Sequence, residues 1–283
     1  MENTANTGRR RPAQADKAAA FVDLHRNAGA FLLPNPWDPG SARLLAGMGF
    51  AALATTSAGY AFSRGRCDGT IDREEMLRHA AEIVAATDLP TSADLENGYG
   101  DAPQVVAETI RLAAAAGLCG ASIEDADAAS GRALYEIDLA AERIRAAAAV
   151  CRALPAPFVL TARAGNYLVG RPDLGDTIRR LQAYQDAGAD VLYAPGLQDP
   201  NEIATVVASV DRPVNVVMGL GGRRLSVDDL SALGVKRISL GSALARAAFA
   251  ALLRAGREMR AHGSFDFAAD AVPYAEISAL LSV

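Results

Sequence analysis

Lysine and histidine are scarce in this chain of 283 residues. Lysine occurs only at Lys17 and Lys236, and histidine only at His25, His79 and His262. An aldolase that forms a Schiff base needs a lysine in its active site, and a histidine-ligated zinc enzyme needs clustered histidines. Because Lys17 lies near the amino terminus and Lys236 precedes a predicted strand, the sequence argues against both classes of enzyme.

Cysteine pairs, long apolar runs and excess positive charge are also missing. Cys67, Cys119 and Cys151 are an odd number without metal-site spacing, which is typical of free thiols in the cytoplasm. No apolar run is long enough to cross a bilayer. The formal net charge of −5 does not favour nucleic-acid binding. We therefore expect a cytoplasmic protein that binds a small molecule, with neither a membrane nor a nucleic acid as partner.

The amino-terminal residues 1–16 are polar and include Arg9, Arg10 and Arg11. A twin-arginine export signal needs an apolar segment behind the arginines, whereas PAQADK (residues 12–17) follows here. We therefore expect residues 1–16 to form a disordered tail.

Short apolar or β-branched runs alternate with helical stretches rich in alanine, leucine and arginine. Eight such runs predict strands, at residues 31–34, 51–55, 91–95, 120–124, 158–162, 191–194, 214–218 and 237–240. This alternation predicts the α/β class and a (β/α)8 TIM barrel, since an open doubly wound sheet more often carries a glycine fingerprint after its first strand. We place the barrel at residues 17–263. Residues 264–283 are expected to form a helical extension that packs on the barrel or on a partner subunit.

Acidic residues end two neighbouring strands of the predicted barrel, at the end where TIM-barrel active sites lie. Asp94 and Glu96 are two positions apart and therefore point to the same side, and Glu124 ends the next strand. Three close carboxylates repel each other, and a dication such as Mg²⁺ (or Mn²⁺) relieves this because it prefers oxygen ligands. The alternative is that these acids cap the following helices.

Other polar residues follow the remaining strands at the same end. Arg163 suits an anionic ligand, because its planar guanidinium can bind both oxygens of a carboxylate. The small residues from Thr55 to Gly59 offer backbone N–H groups as an oxyanion cradle, or form an ordinary loop. Together the acids, a dication and Arg163 carry a net charge of about zero, which suits a substrate such as a 2-oxo acid.

Four ordered motifs resemble the isocitrate lyase/phosphoenolpyruvate mutase superfamily, namely DLENGYG (residues 94–100), SIED (122–125), LTAR (160–163) and PVNV (213–216). The resemblance covers residues 31–262. It implies a barrel enzyme that uses Mg²⁺ to form or use the enolate of pyruvate or a similar 2-oxo acid. It also implies a homotetramer, a dimer of dimers in which paired subunits exchange the last barrel helix.

The resemblance further implies a role for each matching residue. Asp94, Glu96 and Glu124 would surround the metal, largely through water, and Asp68 would add another acid on the metal side. The expected catalytic residues are Arg163, Glu124, Thr56 and Ser57. The expected substrate contacts are Trp37, Thr56, Ser57, Ala58, Arg163 and Asn215, although Trp37 also suits simple packing at the barrel rim.

One segment departs from the family pattern. The C–C lyases of the family carry Lys-Lys-Cys-Gly-His in a mobile loop after the fourth strand, and the mutases and phosphonopyruvate hydrolases use a lysine and an asparagine there. This chain instead has DADAASGR (residues 125–132), whose small residues suit a gating lid. The missing groups argue against isocitrate or methylisocitrate cleavage by the usual route and against phosphoryl transfer.

Loss of CO₂ from an oxo diacid needs no general base, only groups that stabilise the resulting enolate. We therefore expect a Mg²⁺-dependent lyase that acts on a 2-oxo or 2-hydroxy di- or tricarboxylic acid through a pyruvate-type enolate. Its reaction would be similar either to that of oxaloacetate decarboxylase or to that of methylisocitrate and dimethylmalate lyases.

Three alternatives stay open at this point. The first is an enzyme similar to phosphoenolpyruvate mutase or phosphonopyruvate hydrolase. The second is a barrel with a phosphate cradle at Gly222 and Ser242, after the seventh and eighth strands. The third is a barrel that has lost catalysis and binds a ligand, which the missing loop residues favour.

Overall fold

The computed structural model describes residues 12–126, 134–219 and 221–282. Within them, eight parallel strands follow the order β1-β8-β7-β6-β5-β4-β3-β2. Their bounds are Phe31–Leu33 (β1), Leu53–Ala54 (β2), Thr91–Asp94 (β3), Gly120–Glu124 (β4), Val159–Arg163 (β5), Val191–Tyr193 (β6), Val214–Val217 (β7) and Arg237–Ser239 (β8). The Ala54 amide donates to the Pro34 carbonyl at 3.0 Å and so connects β2 to the end of β1. The predicted (β/α)8 barrel is confirmed, with every strand within two residues of its expected bounds.

Helices connect the strands on the outside of the barrel. Their bounds are Pro39–Gly47 (α2), Ser57–Ser63 (α3), Arg73–Ala86 (α4), Pro103–Ala115 (α5), Ile137–Ala153 (α6), Leu174–Ala187 (α7), Pro200–Ala208 (α8), Val227–Ala232 (α9) and Ala243–His262 (α10). Helix α1 (Gln14–Arg26) precedes β1, and α11 (Tyr274–Leu281) follows a 3₁₀ helix at Asp266–Asp270. None of the helices in the described residues is long and apolar enough to cross a membrane.

Aspartate side chains begin several of these helices. Asp38, Asp72, Asp173 and Asp199 each accept a hydrogen bond from a backbone N–H in the first turn of the helix that follows. The helices after β3 and β4 begin differently, since the residue before α5 is Ala102 and the one before α6 is Glu136, without a side-chain cap. The acids at the ends of β3 and β4 therefore do not serve as caps for these two helices.

Helix α1 packs at the amino-terminal end of the barrel strands. Phe21 is fully buried there in one cluster with Leu33 and Cys119. The helix begins at Gln14, inside the segment that the sequence predicts to be a tail, and residues 1–11 lie outside the described residues. Burial of an aromatic side chain of this size stabilises the fold by about 2 kcal/mol or more.

The carboxyl-terminal segment contrasts with the barrel in its exposure. Helix α10 buries Ala245 and Ala255, whereas Leu252, Leu253 and Met259 are 66%, 54% and 42% exposed. Helix α11 folds back to contact α2 of the same chain. An apolar face of this kind is the usual mark of a surface that contacts another protein.

Candidate active site

A cavity of about 340 Å³ lies at the carboxyl-terminal ends of the strands. It brings together nine of the predicted site residues, namely Thr56, Ser57, Ala58, Asp68, Asp94, Glu96, Glu124, Arg163 and Asn215. Ser242 also lines it, whereas Gly222 packs against the side chain of Gln198. Trp37 is absent from the described lining residues, and its Cβ lies close to Gly59.

Arg163 lies at the centre of the acidic residues. Its Nη1 donates to Asp94 Oδ1 at 2.7 Å and its Nη2 donates to Glu124 Oε2 at 2.6 Å. Parallel pairing of β4 with β5 places Glu124 directly beside Arg163, which explains the contact. The sequence analysis assigned Arg163 to the substrate and did not anticipate this bridge. Nε of Arg163 is buried and has no hydrogen-bond partner among the described residues.

The turn after β2 supports Asp94 from the opposite side. Thr55 Oγ1 accepts from the Asp94 amide, and Ser57 Oγ donates to Asp94 Oδ2, each at 3.0 Å. Thr56 Oγ1 accepts from the Gly59 amide and begins α3. The hydroxyl groups of this turn therefore have partners within the protein. The first amides of a helix lack intrahelical acceptors, so they are the groups of this turn that suit an oxyanion.

Glu96 lies on an irregular turn after β3. Its backbone has φ 48°, in the left-handed region that non-glycine residues rarely adopt, and Tyr99 has φ 63°. Glu96 Oε1 and the Tyr99 hydroxyl are both buried without a hydrogen-bond partner in the described residues. Strained backbone and unpartnered buried polar atoms are costly, and both features occur most often where a ligand completes the site.

Arg143, which extends from α6, holds this turn in place. Its guanidinium donates to the carbonyls of Gly100 and Asp101 at 2.6 and 2.8 Å and also to the carbonyl of Asn97. It lies 4.1 Å from the centre of the Tyr135 ring. Arg143 is 1% exposed, and the sequence analysis did not identify it. A charged residue on the buried face of a predicted amphipathic helix was the available signal.

Glu96 and Glu124 are difficult to ionise in this cavity. Burial, followed by the charges of Asp94, Asp68 and Glu124, raises the pKa of Glu96 to about 8. Burial raises the pKa of Glu124 to about 7, against the favourable charge of Arg163. Burial also disfavours the charge on Arg163, but Glu124 and Asp94 hold its pKa above the ordinary value. One guanidinium therefore does not neutralise this set of carboxylates.

The donor set fits Mg²⁺ in its chemistry. All the candidate ligand atoms are oxygens, the negative charge exceeds the positive charge, and Glu96 Oε1 has no partner among the described residues. In the described ranges, no group of three or more His, Cys, Asp or Glu side chains is arranged to hold a metal ion. A dication would therefore be held by Glu96, Asp94, Glu124 and Asp68 partly through water, which suits an ion that retains its hydration waters.

Asp125 has a different environment from its neighbour Glu124. Its carboxylate is 3% exposed and accepts from Arg180 Nη1 at 3.1 Å, from the Gly165 amide at 2.7 Å and from the Tyr184 hydroxyl. These bonds fix the backbone where β4 ends. The gating lid predicted at residues 125–132 begins here, and its residues 127–132 lie outside the described residues.

The floor of the cavity contains a second arginine, which the sequence analysis also missed. Asn215 Oδ1 accepts from Arg237 Nε at 2.9 Å, and Asn215 Nδ2 donates to Ser239 Oγ at 3.0 Å. Asn215, predicted to contact substrate, is thus oriented by two neighbours on β8. An arginine within the short apolar run of the eighth strand was the available signal, because a charged side chain inside a barrel needs a specific reason.

Family comparison agrees with this geometry. The family model described as phosphoenolpyruvate phosphomutase matches residues 21–260. The chain belongs to this family. The superfamily resemblance inferred from the four motifs is therefore confirmed.

Three curated relatives extend over most of the chain. An uncharacterized protein of Mycobacterium tuberculosis is 35% identical over 93% of this chain and 96% of its own length. Oxaloacetate decarboxylase of Chromohalobacter salexigens is 30% identical, with 88% and 87% covered. The 2-methylisocitrate lyase of Bacillus subtilis is 28% identical, with 89% and 84% covered. The characterised relatives therefore differ in reaction.

Solved structures place the fold in the same family. A protein from Burkholderia cenocepacia J2315, classed only as a lyase/mutase, is 61% identical and superposes with a TM-score of 0.94, covering 95% of this chain and 98% of that one. Oxaloacetate acetylhydrolase in complex with its product oxalate is 27% identical, with a TM-score of 0.82 and coverage of 95% and 94%. Lyases and mutases both occur among proteins with this barrel, so the reaction depends on the site.

Proposed function

We propose that this protein is a Mg²⁺-dependent lyase that cleaves a carbon–carbon bond of a 2-oxo or 2-hydroxy di- or tricarboxylic acid through an enolate and releases pyruvate or a similar 2-oxo acid. The observation that carries the proposal is the acidic cluster around Arg163, in which Glu96 Oε1 is buried without a partner in the described residues. A surplus of buried negative charge is stabilised by a hard dication.

Residues of the cavity bind the substrate and stabilise the charge that develops in the reaction. The unpartnered Nε of Arg163 donates to a carboxylate oxygen of the substrate, and the amides after Thr56 donate to the oxygen on which negative charge develops. When bound, Mg²⁺ supplies Lewis acidity toward the oxo group. With a 2-oxo diacid, the electrons of the broken C–C bond enter the enolate of pyruvate, CO₂ leaves, and a proton from water completes the pyruvate methyl group. With a 2-hydroxy acid, the hydroxyl group loses its proton to water and its carbon becomes the carbonyl of pyruvate, while the electrons of the broken bond pass to the other fragment, which takes up a proton from water.

The names of the relatives support this range of reactions. Oxaloacetate decarboxylase and 2-methylisocitrate lyase are similar to this chain along most of its length. Of these two reactions we favour decarboxylation, which needs no cysteine or histidine in the loop after β4, because residues 125–132 contain neither. Phosphonopyruvate chemistry is the second candidate, favoured by the family model that matches residues 21–260.

We also propose that the protein assembles as a dimer of dimers through exchange of α10. Support comes from the exposure of Leu252 and Leu253, which a partner barrel would cover. A cytoplasmic location stays a prediction, supported by free thiols at Cys67, Cys119 and Cys151.

A pyruvate-release assay tests the proposed function. The purified protein with Mg²⁺ is incubated separately with oxaloacetate, 2-methylisocitrate, dimethylmalate and phosphonopyruvate, and pyruvate is measured with a coupled dehydrogenase. Release from one of the first three acids above a heat-inactivated blank supports the proposal. Release of pyruvate from phosphonopyruvate alone, or its conversion to phosphoenolpyruvate, favours the second candidate. Inactivity on all four acids, with no phosphoenolpyruvate formed, favours a ligand-binding barrel without catalysis.

A further inference from the structure

Arg237 places a buried guanidinium in the floor of the cavity. Its side chain is 4% exposed, yet it lines the same cavity as Arg163 and the acids. Nε donates to Asn215 Oδ1 at 2.9 Å and Nη2 donates to Thr161 Oγ1 at 2.9 Å. Nη1 lies 3.4 Å from Nε2 of His25. A guanidinium has five N–H donors, so these three partners leave two donors without an acceptor among the residues that the structure describes.

All three partners of Arg237 are neutral. The Nδ1 atom of His25 lies 2.8 Å from the Phe21 carbonyl, so Nδ1 carries the proton and Nε2 accepts. Burial and the charge of Arg237 lower the pKa of His25 to about 3, which keeps this ring uncharged. No Asp or Glu in the described residues forms an ion pair with Arg237.

Two of the other buried arginines pair with acids, unlike Arg237. Arg163 pairs with Asp94 and Glu124, and the helix residue Arg180 pairs with Asp125 and Asp176. Arg237 is therefore a buried cation whose counter-charge is missing from the described residues. A buried charge without a partner is unfavourable, and an anionic ligand in the adjoining cavity would supply the missing charge.

The acids and Arg237 extend from different strands and different depths of the barrel. The acids belong to β3, β4 and the turn after β3, whereas Arg237, Ser239 and Asn215 belong to β8 and β7. In the strand order, β3 and β4 are separated from β7 and β8 by β5 and β6 on one side and by β1 and β2 on the other. Arg237 is the first residue of β8 and its guanidinium reaches across the interior to Thr161 of β5, whereas the acids lie where β3 and β4 end. A ligand in the cavity thus meets the acids at the carboxyl ends of the strands and this cation deeper in the barrel.

We propose that Arg237 binds a second carboxylate of the substrate, with Asn215 and Ser239 beside it, and so restricts the enzyme to acids with at least two carboxylates. This inference rests on the proposed function, which places the oxo acid end of the substrate at Arg163.

The test compares two four-carbon acids that differ in one carboxylate. Binding of succinate and of butyrate to the full chain with Mg²⁺ is measured by titration calorimetry, without any need for turnover. We expect the wild type to bind succinate at least about tenfold more tightly than butyrate, since a charge-assisted carboxylate contact is lost with butyrate. Arg237→Gln should weaken succinate binding about tenfold and leave butyrate binding unchanged.

Lys236→Gln is the matched control. It removes the same charge from the neighbouring residue, whose Nζ donates to the carbonyls of Asn27 and Gly29 outside the cavity. We expect this variant to keep the succinate preference of the wild type. Arg237→Lys provides a second variant if the glutamine variant does not fold. It keeps the charge but not the forked geometry, so the preference should fall between those of the wild type and Arg237→Gln.

Two results overturn the assignment of Arg237. One is a wild type that binds succinate no better than butyrate. The other is a folded Arg237 variant, verified by its thermal unfolding, that keeps the full succinate preference. The proposed function fails separately, in the pyruvate-release assay. A protein that releases no pyruvate but loses its succinate preference with Arg237→Gln keeps the anion site and loses the lyase assignment.

Discussion

Arg163 and Glu124 face each other across the β4–β5 ladder, and their side chains are joined by a hydrogen bond of 2.6 Å. The same guanidinium donates to Asp94 at 2.7 Å. Arg163 therefore orients two of the acids expected around the metal, in addition to its expected role toward the substrate. A change at either acid alters both the charge of the cavity and the position of Arg163.

Glu124→Gln tests this dual role through activity. The substitution keeps the shape of the side chain but removes the charge that Arg163 and a dication share, so turnover should fall about 100-fold or more. Pyruvate release at saturating Mg²⁺ measures the loss. Glu108→Gln is the matched control, because Glu108 pairs with Arg111 on the exposed surface of α5. Full activity of Glu124→Gln would contradict a catalytic metal site that includes Glu124.

The stability of the chelated protein should depend on pH. Glu96 and Glu124 have pKa values of about 8 and about 7 in the fold, above the ordinary 4.5, so the folded state retains protons that the unfolded chain releases. The free energy of unfolding in chelator should therefore fall as pH rises from about 4.5 to 8 and then level off. Thermal unfolding at half-unit pH intervals measures this trend. Glu96→Gln should reduce the slope, and Glu108→Gln should not.

Mg²⁺ should restore the stability that the chelated protein loses as the pH rises. The effect should be stronger at pH 8 than at pH 6, because protons compete with the metal for the carboxylates. At 100 times the dissociation constant, a bound ion stabilises the fold by about 2.7 kcal/mol. The rise of the unfolding temperature on adding Mg²⁺, measured at both pH values, checks this. An equal rise at the two pH values, or none, would contradict a site made of Glu96 and Glu124.

Arg143→Gln should weaken Mg²⁺ use without direct contact with the ion. Arg143 fixes the carbonyls of the turn that follows Glu96, and loss of such outer support typically reduces metal affinity about tenfold. The Mg²⁺ concentration that gives half-maximal turnover is the readout. Arg111→Gln, on the exposed face of α5, provides a control. A large drop in unfolding temperature with unchanged Mg²⁺ requirement would instead assign Arg143 a purely structural role.

The double variant Leu252→Asp with Leu253→Asp tests the proposed exchange of α10. These leucines are 66% and 54% exposed in one chain, so charge there should disrupt assembly without disturbing the barrel. Sedimentation velocity should show a tetrameric wild type and smaller species for the variant. Met48→Asp, at a residue that is 69% exposed elsewhere, should leave the assembly intact. A monomeric wild type would contradict the proposal.

The barrel could be predicted from sequence because each strand is a short apolar run between helical stretches. All four residues of the strand Val214–Val217 are buried, so pattern and burial agree. The convergence of Asp94, Glu96 and Glu124 was predictable for the same reason, since parallel strands end at one face of the barrel. Local sequence patterns therefore predict a residue's environment where that environment is determined by the residue's own strand.

Other features depend on contacts between distant parts of the chain. The bridge from Arg163 to Asp94 joins residues 69 positions apart, and the bond from Arg237 to His25 joins residues 212 apart. Strand register and the position of α1 determine these contacts, and the sequence pattern specifies neither. The partners of the two guanidinium groups could be identified only from the three-dimensional structure. The charge balance of the cavity depends on these partners.

The central claim is tested most directly by removing and restoring the metal during turnover. Pyruvate release from the acid with the highest rate is measured in excess chelator and again as Mg²⁺ is added back, with Glu124→Gln as a blank for metal-catalysed background. The account predicts no enzymatic release in chelator and full recovery with Mg²⁺. Equal release in chelator and in Mg²⁺ would contradict it.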